Sequence, residues 1–225
     1  MLGEGIGGHS LPSRGQRRRV HQEDEPRVVF FLKNLPFDSE DDFSGTVPNL
    51  PFRLENIAAT SQRPLELILS CGLHAAGLIR HIYVDFGRRG FYELSSNSEP
   101  ITGQQAFERL LGELFQTGRI VNPTTNELIW QRFNNFSTIL QDLPANTRKI
   151  GCMTGDGSQG LMNLQDYITN APSERIYFFV VGQIANQEEM EEYVDDSVKV
   201  SEYDLVAEQC VARVINAMEA KLGIL

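Results

Sequence analysis

The chain has 225 residues, 41% hydrophobic and 22% charged, with a formal net charge of −10, a globular composition with material for one large domain or one domain with appendages. No apolar run approaches the roughly 18–20 residues of a membrane span, the N-terminus lacks a signal-peptide apolar segment, and Cys71, Cys152 and Cys210 show no CxxC spacing and read as reduced, intracellular thiols. Residues 1–27 carry a net +1 against −10 for the whole chain, leaving the body at −11. That balance argues against broad phosphate binding while leaving room for a local basic groove.

Residues 1–26 are rich in Gly, Ser, Arg and Gln and read as a disordered arm, with Arg17, Arg18 and Arg19 solvated. Residues 27–225 read as a single domain. Order begins at Arg27–Leu32, an apolar run of strand composition. Residues 34–52, punctuated by Pro36, Gly45, Pro48 and Pro51, read as an irregular connection. From Pro64 to Ile79 the spacing of Leu65, Ile68, Leu69, Leu73 and Ala76 predicts a helix. His81–Phe86 follows as a strand, 87–90 as a turn and Phe91–Leu94 as the hairpin partner.

Gln104–Phe115 is amphipathic, with Phe107, Leu110, Leu111 and Leu114 on one side and Gly118 as its stop. Thr138–Leu143 predicts a short helix, Arg148–Met153 a strand and Met162–Ile168 another helix. Gly155-Asp-Gly157 and Gly160 match no phosphate-loop pattern and read as a tight turn. Ile176–Val181 is the most hydrophobic strand and stops on Gly182; a short strand begins at Val198 and stops on a polar turn. A closing helix carries Val206, Cys210, Val211, Val214, Met218 and Leu222 at three- and four-residue steps. Strands alternating with helices indicate an α/β domain with a largely parallel sheet flanked by helices. Two strand-end loops side by side suit a flat ligand such as an adenine ring.

Other chemistries find little support. His9, His21, His74 and His81 lack metal-ligand spacing, no Ser/His/Asp set sits on a recognisable elbow, and Glu188–Glu192 with Asp195 and Asp196 reads as a solvated helix face.

Several segments together carry a resemblance: Val180-Val181-Gly182, Ser201-Glu-Tyr203-Asp-Leu205, Gly223-Ile224, Ala76–Val84, Phe107-Glu-Arg109-Leu-Leu-Gly112 and Gly151-Cys-Met153. In this order the chain resembles the SPOUT-class pseudouridine N(1)-methyltransferases of small-subunit ribosomal RNA over roughly residues 65–225. The resemblance implies an α/β fold with a C-terminal trefoil knot, an exception to unknotted topology. It also implies a homodimer built partly on the closing helix, structured RNA as partner and S-adenosylmethionine as cofactor. The cofactor loops are then 154–157, 182–187 and 200–205, giving Gly157, Gly182, Gln187, Val200, Ser201, Glu202, Tyr203, Asp204 and Leu205 as candidate contacts. Gly182 would admit the cofactor to the backbone and Leu205 would wall the adenine.

This chain departs from the family pattern at its RNA-facing residues. The family's Arg-Pro-Asp becomes Arg63-Pro64-Leu65, and an ungapped count from Gly77 puts Ile57-Ala58-Ala59 there instead. Its three-arginine row becomes Thr102, Gln105 and Arg109. Arg63 and Arg109 remain as candidate RNA contacts, with Arg88 and Arg89 as an extension, and Glu66 or Asp85 as a substitute carboxylate. Leu128-Ile-Trp-Gln-Arg132 and Cys210 also suit the related tRNA pseudouridine methyltransferases. A non-catalytic ribosome-assembly factor on the same scaffold, and an unrelated α/β protein, stay open. Expected localisation is cytoplasmic in an archaeal host and nuclear or nucleolar in a eukaryotic one.

Overall fold

A computed structural model of the protein describes residues 28–33, 50–172, 175–182 and 194–224. The arm, the segment 34–49, and residues 183–193, which include Gln187 and Glu188–Glu192, lie outside the described residues. The strands are β1 (Val28–Lys33), β2 (Ile79–Asp85), β3 (Phe91–Leu94), β4 (Arg119–Val121), β5 (Leu128–Phe133), β6 (Thr147–Met153), β7 (Ile176–Gly182) and β8 (Asp196–Lys199). The helices are α1 (Leu50–Ser70), α2 (Gly72–Ala75), α3 (Gln104–Thr117), α4 (Phe136–Asp142), α5 (Leu164–Asn170) and α6 (Ala207–Leu222).

The strands form one sheet in the order β4-β5-β3-β2-β1-β7-β6-β8. From β2 to β8 every neighbour is parallel, whereas β3, β5 and β4 extend the other side antiparallel. β1 and β7 are central, and all six apolar residues of Ile176–Val181 are buried. Alternate β1 residues serve two cores: Val28, Phe30 and Leu32 face a core closed by α1, α3, α5 and α6, and Val29 and Phe31 one closed by α4. A strand covered on both faces needs a continuous apolar run, which explains why β1 and β7 show no alternation.

Two expectations are corrected, and one hairpin is additional. The helix expected over Pro64–Ile79 begins at Leu50 and ends at Ser70; Leu73 lies in α2 and Ile79 already in β2. Pro51 sits in the first turn of α1, where its missing N–H costs nothing. Pro64 lies inside α1 and removes the donor that would otherwise bond the Thr60 carbonyl. The hairpin β4–β5 was not anticipated. Its turn is held by Asn122, whose Oδ1 accepts from the N–H groups of Thr124 and Thr125, and β5 buries Trp130 completely.

The apolar face of α6 is covered by the chain itself. Cys210, Val211, Val214, Ile215 and Met218 are all buried against the core closed by α1 and α5. Of the apolar residues expected along the closing helix, on which the expected homodimer was partly built, Val206 is exposed, at 64%.

Candidate active site

Because β7, β6 and β8 are adjacent and parallel, their C-terminal ends open on one edge of the sheet, the edge where open α/β sheets take ligands. The loop after β8 is tied down there. The Val200 N–H donates to the Met153 carbonyl at 2.8 Å, and Arg213 Nη1 donates to the Val200 carbonyl at 2.7 Å. The Ser158 hydroxyl bridges the carbonyls of Gly155 at 2.7 Å and Ser201 at 2.9 Å, and the Tyr203 N–H donates to Ser201 Oγ at 3.0 Å. Gly155, at φ +63, lets the Asp204 carboxylate lie against it where a Cβ would collide.

A cavity of about 410 Å³ opens beside this loop, between α1, the ends of β6 and β7, and the start of α6. Its walls are largely apolar, from Ala59, Pro64, Cys152, Leu205, Val206, Ala207 and Cys210, with Thr60, Thr154 and Gly182 among them and Arg63, Asp204 and Glu208 as charged groups. Thr60, whose carbonyl lost its i+4 donor to Pro64, is part of that wall. A hydrogen bond with Cys210, together with burial, pushes the Cys152 thiol well up, so Cys152 lines the cavity as an uncharged thiol.

The candidate residues separate into distinct groups. Gly182, Asp204 and Leu205 line the cavity. Val200 and Ser201 are buried and hold the loop, whereas Glu202 and Tyr203 face solvent, Tyr203 being 80% exposed. Gly157 lies on the exposed turn after β6, outside the cavity lining, and Gln187 is not among the described residues. The reason for Gly182 is internal: at φ +153 a Cβ there would overlap the Lys33 carbonyl oxygen of β1. It serves sheet packing first.

Arg63 stands at the cavity mouth, with Nη1 3.8 Å from Glu208 Oε1. Arg109 is exposed on α3 and lines neither this cavity nor the next. Arg89 lies over the Phe115 ring, 5.5 Å from its centroid. The suggested substitute carboxylates are occupied: Asp85 accepts from the Gly87 N–H at 2.8 Å and Glu66 from Gln62 at 2.7 Å. Leu65 is 2% exposed and packs in the core. His81 pairs with Glu93 across β2 and β3, and His74 bonds the Ser96 carbonyl at 2.8 Å, both structural.

A second, more polar cavity of about 670 Å³ adjoins the first, lined by Gln62, Glu66, Ser70 and Gln104 and sharing Ala59, Arg63 and Glu208 with it. Sequence reading missed Thr60 and Glu208, whereas Arg63-Pro64 and the alternative Ile57-Ala58-Ala59 had already pointed to the α1 wall.

Comparison with known proteins adds a family and a fold. The EMG1/NEP1 methyltransferase family model matches residues 64–219. A structure of Archaeoglobus fulgidus Nep1 bound to S-adenosylhomocysteine is similar with a TM-score of 0.62 at 12% identity, over 88% of this chain and 99% of that one. The A. aeolicus TrmH/SpoU tRNA modifying enzyme is similar with a TM-score of 0.43 at 12% identity, over 89% of this chain and 76% of that one. No curated protein sequence matches the chain.

Proposed function

From the premise that the chain belongs to the EMG1/NEP1 methyltransferase family, we propose that it transfers a methyl group from S-adenosylmethionine to N(1) of a pseudouridine in small-subunit ribosomal RNA. The observation that carries this reading is the cavity at the ends of β6, β7 and β8. Its 410 Å³ falls within the roughly 300–1,000 Å³ of small-molecule sites, and apolar walls with a few placed polar groups are their usual lining. Leu205 and Val206 offer an apolar surface to a base, with Thr60 and Thr154 as polar residues in the same wall. Asp204, which lines this cavity and not the next, suits the cationic sulfonium and ammonium groups. When bound, the cofactor supplies an electrophilic methyl group. The chain's part is to orient it and exclude water, which accounts for much of the rate in a two-substrate transfer.

The reading includes a C-terminal trefoil knot and a homodimer. The strand order β7-β6-β8, with α6 folded back against α1 and α5, supports the first. Exposed Tyr203 and Val206 beside the cavity support the second, and sedimentation at micromolar concentration tests it. A non-catalytic assembly factor is the second reading, favoured by Leu65, Thr102 and Gln105 where the family carries charged groups.

Ala59 gives a clean test because it lines the cavity yet is exposed on α1. Ala59→Trp fills the cavity without touching the core. It is expected to leave thermal stability unchanged and to lower S-adenosylhomocysteine affinity at least about 30-fold, near 2 kcal/mol, by calorimetry. Unaltered affinity in this variant places the cofactor elsewhere. Cofactor binding without methylation of a pseudouridine stem-loop favours the assembly factor.

A further inference from the structure

The two cavities meet at one wall formed by Ala59, Arg63 and Glu208. A group moved from an occupant of the first to an occupant of the second passes these three side chains. The second cavity, lined by amides, a hydroxyl and charged groups, suits a polar acceptor such as a nucleobase with its ribose. Methylating a ring nitrogen that carries hydrogen leaves a proton to be removed, and a positioned base at the transfer point supplies that need. Alanine has no basic atom and arginine stays protonated, which among the described residues of that wall leaves the Glu208 carboxylate. Asp204 lines the first cavity alone. Glu66 lines the second alone and already accepts a hydrogen bond from Gln62.

We infer that Glu208 accepts the N(1) proton of the target base and that Arg63, 3.8 Å from it, is its positioning residue. The inference rests on the methyltransferase reading above. Ring N(1) forms its bond to the methyl carbon as the sulfur–methyl bond breaks, with that electron pair remaining on sulfur as the thioether. The N(1) proton passes to a Glu208 carboxylate oxygen and leaves through the 37% of the side chain that is exposed. The site is this chain's own assembly: it joins the first turn of α6 to the middle of α1.

Two readouts test it, one independent of turnover. By fluorescence anisotropy without cofactor, the wild type is expected to bind a pseudouridine stem-loop about tenfold more tightly than its N(1)-methylpseudouridine counterpart, as loss of one hydrogen bond to a charged group predicts. Glu208→Ala should erase the preference and Glu208→Asp should restore part of it. Single-turnover methylation by Glu208→Gln should fall by on the order of 10²–10⁴-fold, with S-adenosylhomocysteine affinity held within about threefold, a margin below 1 kcal/mol. A Glu208→Gln protein that methylates like the wild type overturns the assignment alone. So does one that loses cofactor affinity, since Glu208 then holds the cofactor. A wild type that binds neither cofactor nor pseudouridine RNA overturns it together with the reading beneath it.

Discussion

Replacing Gly182 by alanine separates packing from ligand contact at the end of β7. At φ +153 the residue lies where side-chain-bearing residues are strained. The added methyl would also overlap the Lys33 carbonyl oxygen, a backbone atom fixed by the parallel pairing of β1 with β7, in which Lys33 stands opposite Gly182. Nothing flexible is available to give way. Strain at such a position costs about 1–3 kcal/mol and overpacking about another 1–3, so the variant should lose roughly 2–6 kcal/mol. For a domain of this length each kcal/mol moves Tm by about 2–4 °C, which puts the expected drop at roughly 4–24 °C. Scanning calorimetry and urea unfolding on purified protein measure it. An alanine variant melting within about 2 °C of the wild type would refute the argument and return Gly182 to a purely ligand-facing role. Cofactor binding lost in a Gly182 variant therefore says little about contact, whereas loss in Ala59→Trp says much.

Asp196 joins β8 to its neighbours: Arg148 Nη2 donates to Oδ1 at 2.7 Å, and Arg148 Nε and the Tyr167 hydroxyl both donate to Oδ2. Burial works to raise the carboxyl pKa, but these hydrogen bonds outweigh it and hold it below the usual value; burial and the bond to Asp196 push the Tyr167 phenol up to about 12. A depressed folded-state pKa means the stability is fully present above the unfolded value near 3.9 and lost as pH falls through the folded one. Asp196→Asn should cost about 1–3 kcal/mol at pH 7, and urea titrations should show the gap to wild type closing below about pH 4. With few cationic contacts available, RNA affinity should fall gently with salt: two or three contacts give a log–log slope of roughly −1.4 to −2.1 on single strands, and Arg109→Ala should reduce it by about 0.7 in filter binding. An unchanged slope would make Arg109 structural. Trp130, the single tryptophan and fully buried, should emit at short wavelength in the native protein and shift red in one step with urea; native red emission would contradict its place between β3 and β4.

The sequence alone determined the parts whose pattern is strong within a few residues. Ile176–Val181 declared a strand covered on both faces because six consecutive apolar residues admit no solvent side. Gln104–Phe115 declared its helix through one apolar face, and Gly118 closed it, its N–H bonding the Leu114 carbonyl at 2.7 Å. Alternation of such elements fixed the α/β class, and their order carried the family resemblance. The tertiary structure decided what depends on distant neighbours. Pro51 read as part of an irregular connection and Pro64 as a helix start, yet α1 runs through both, because packing Ile57, Leu65 and Ile68 into the core outweighs one lost hydrogen bond. β4 has three residues and β5 buries only Trp130, so neither carries a strong pattern; they exist because β5 pairs with β4 on one side and β3 on the other. Glycine at 182 was visible, but its cause, a carbonyl on β1, was not. Arg63 and Glu208 stand 3.8 Å apart only because α6 folds back on α1, and no local pattern encodes a contact between residues so far apart in the chain.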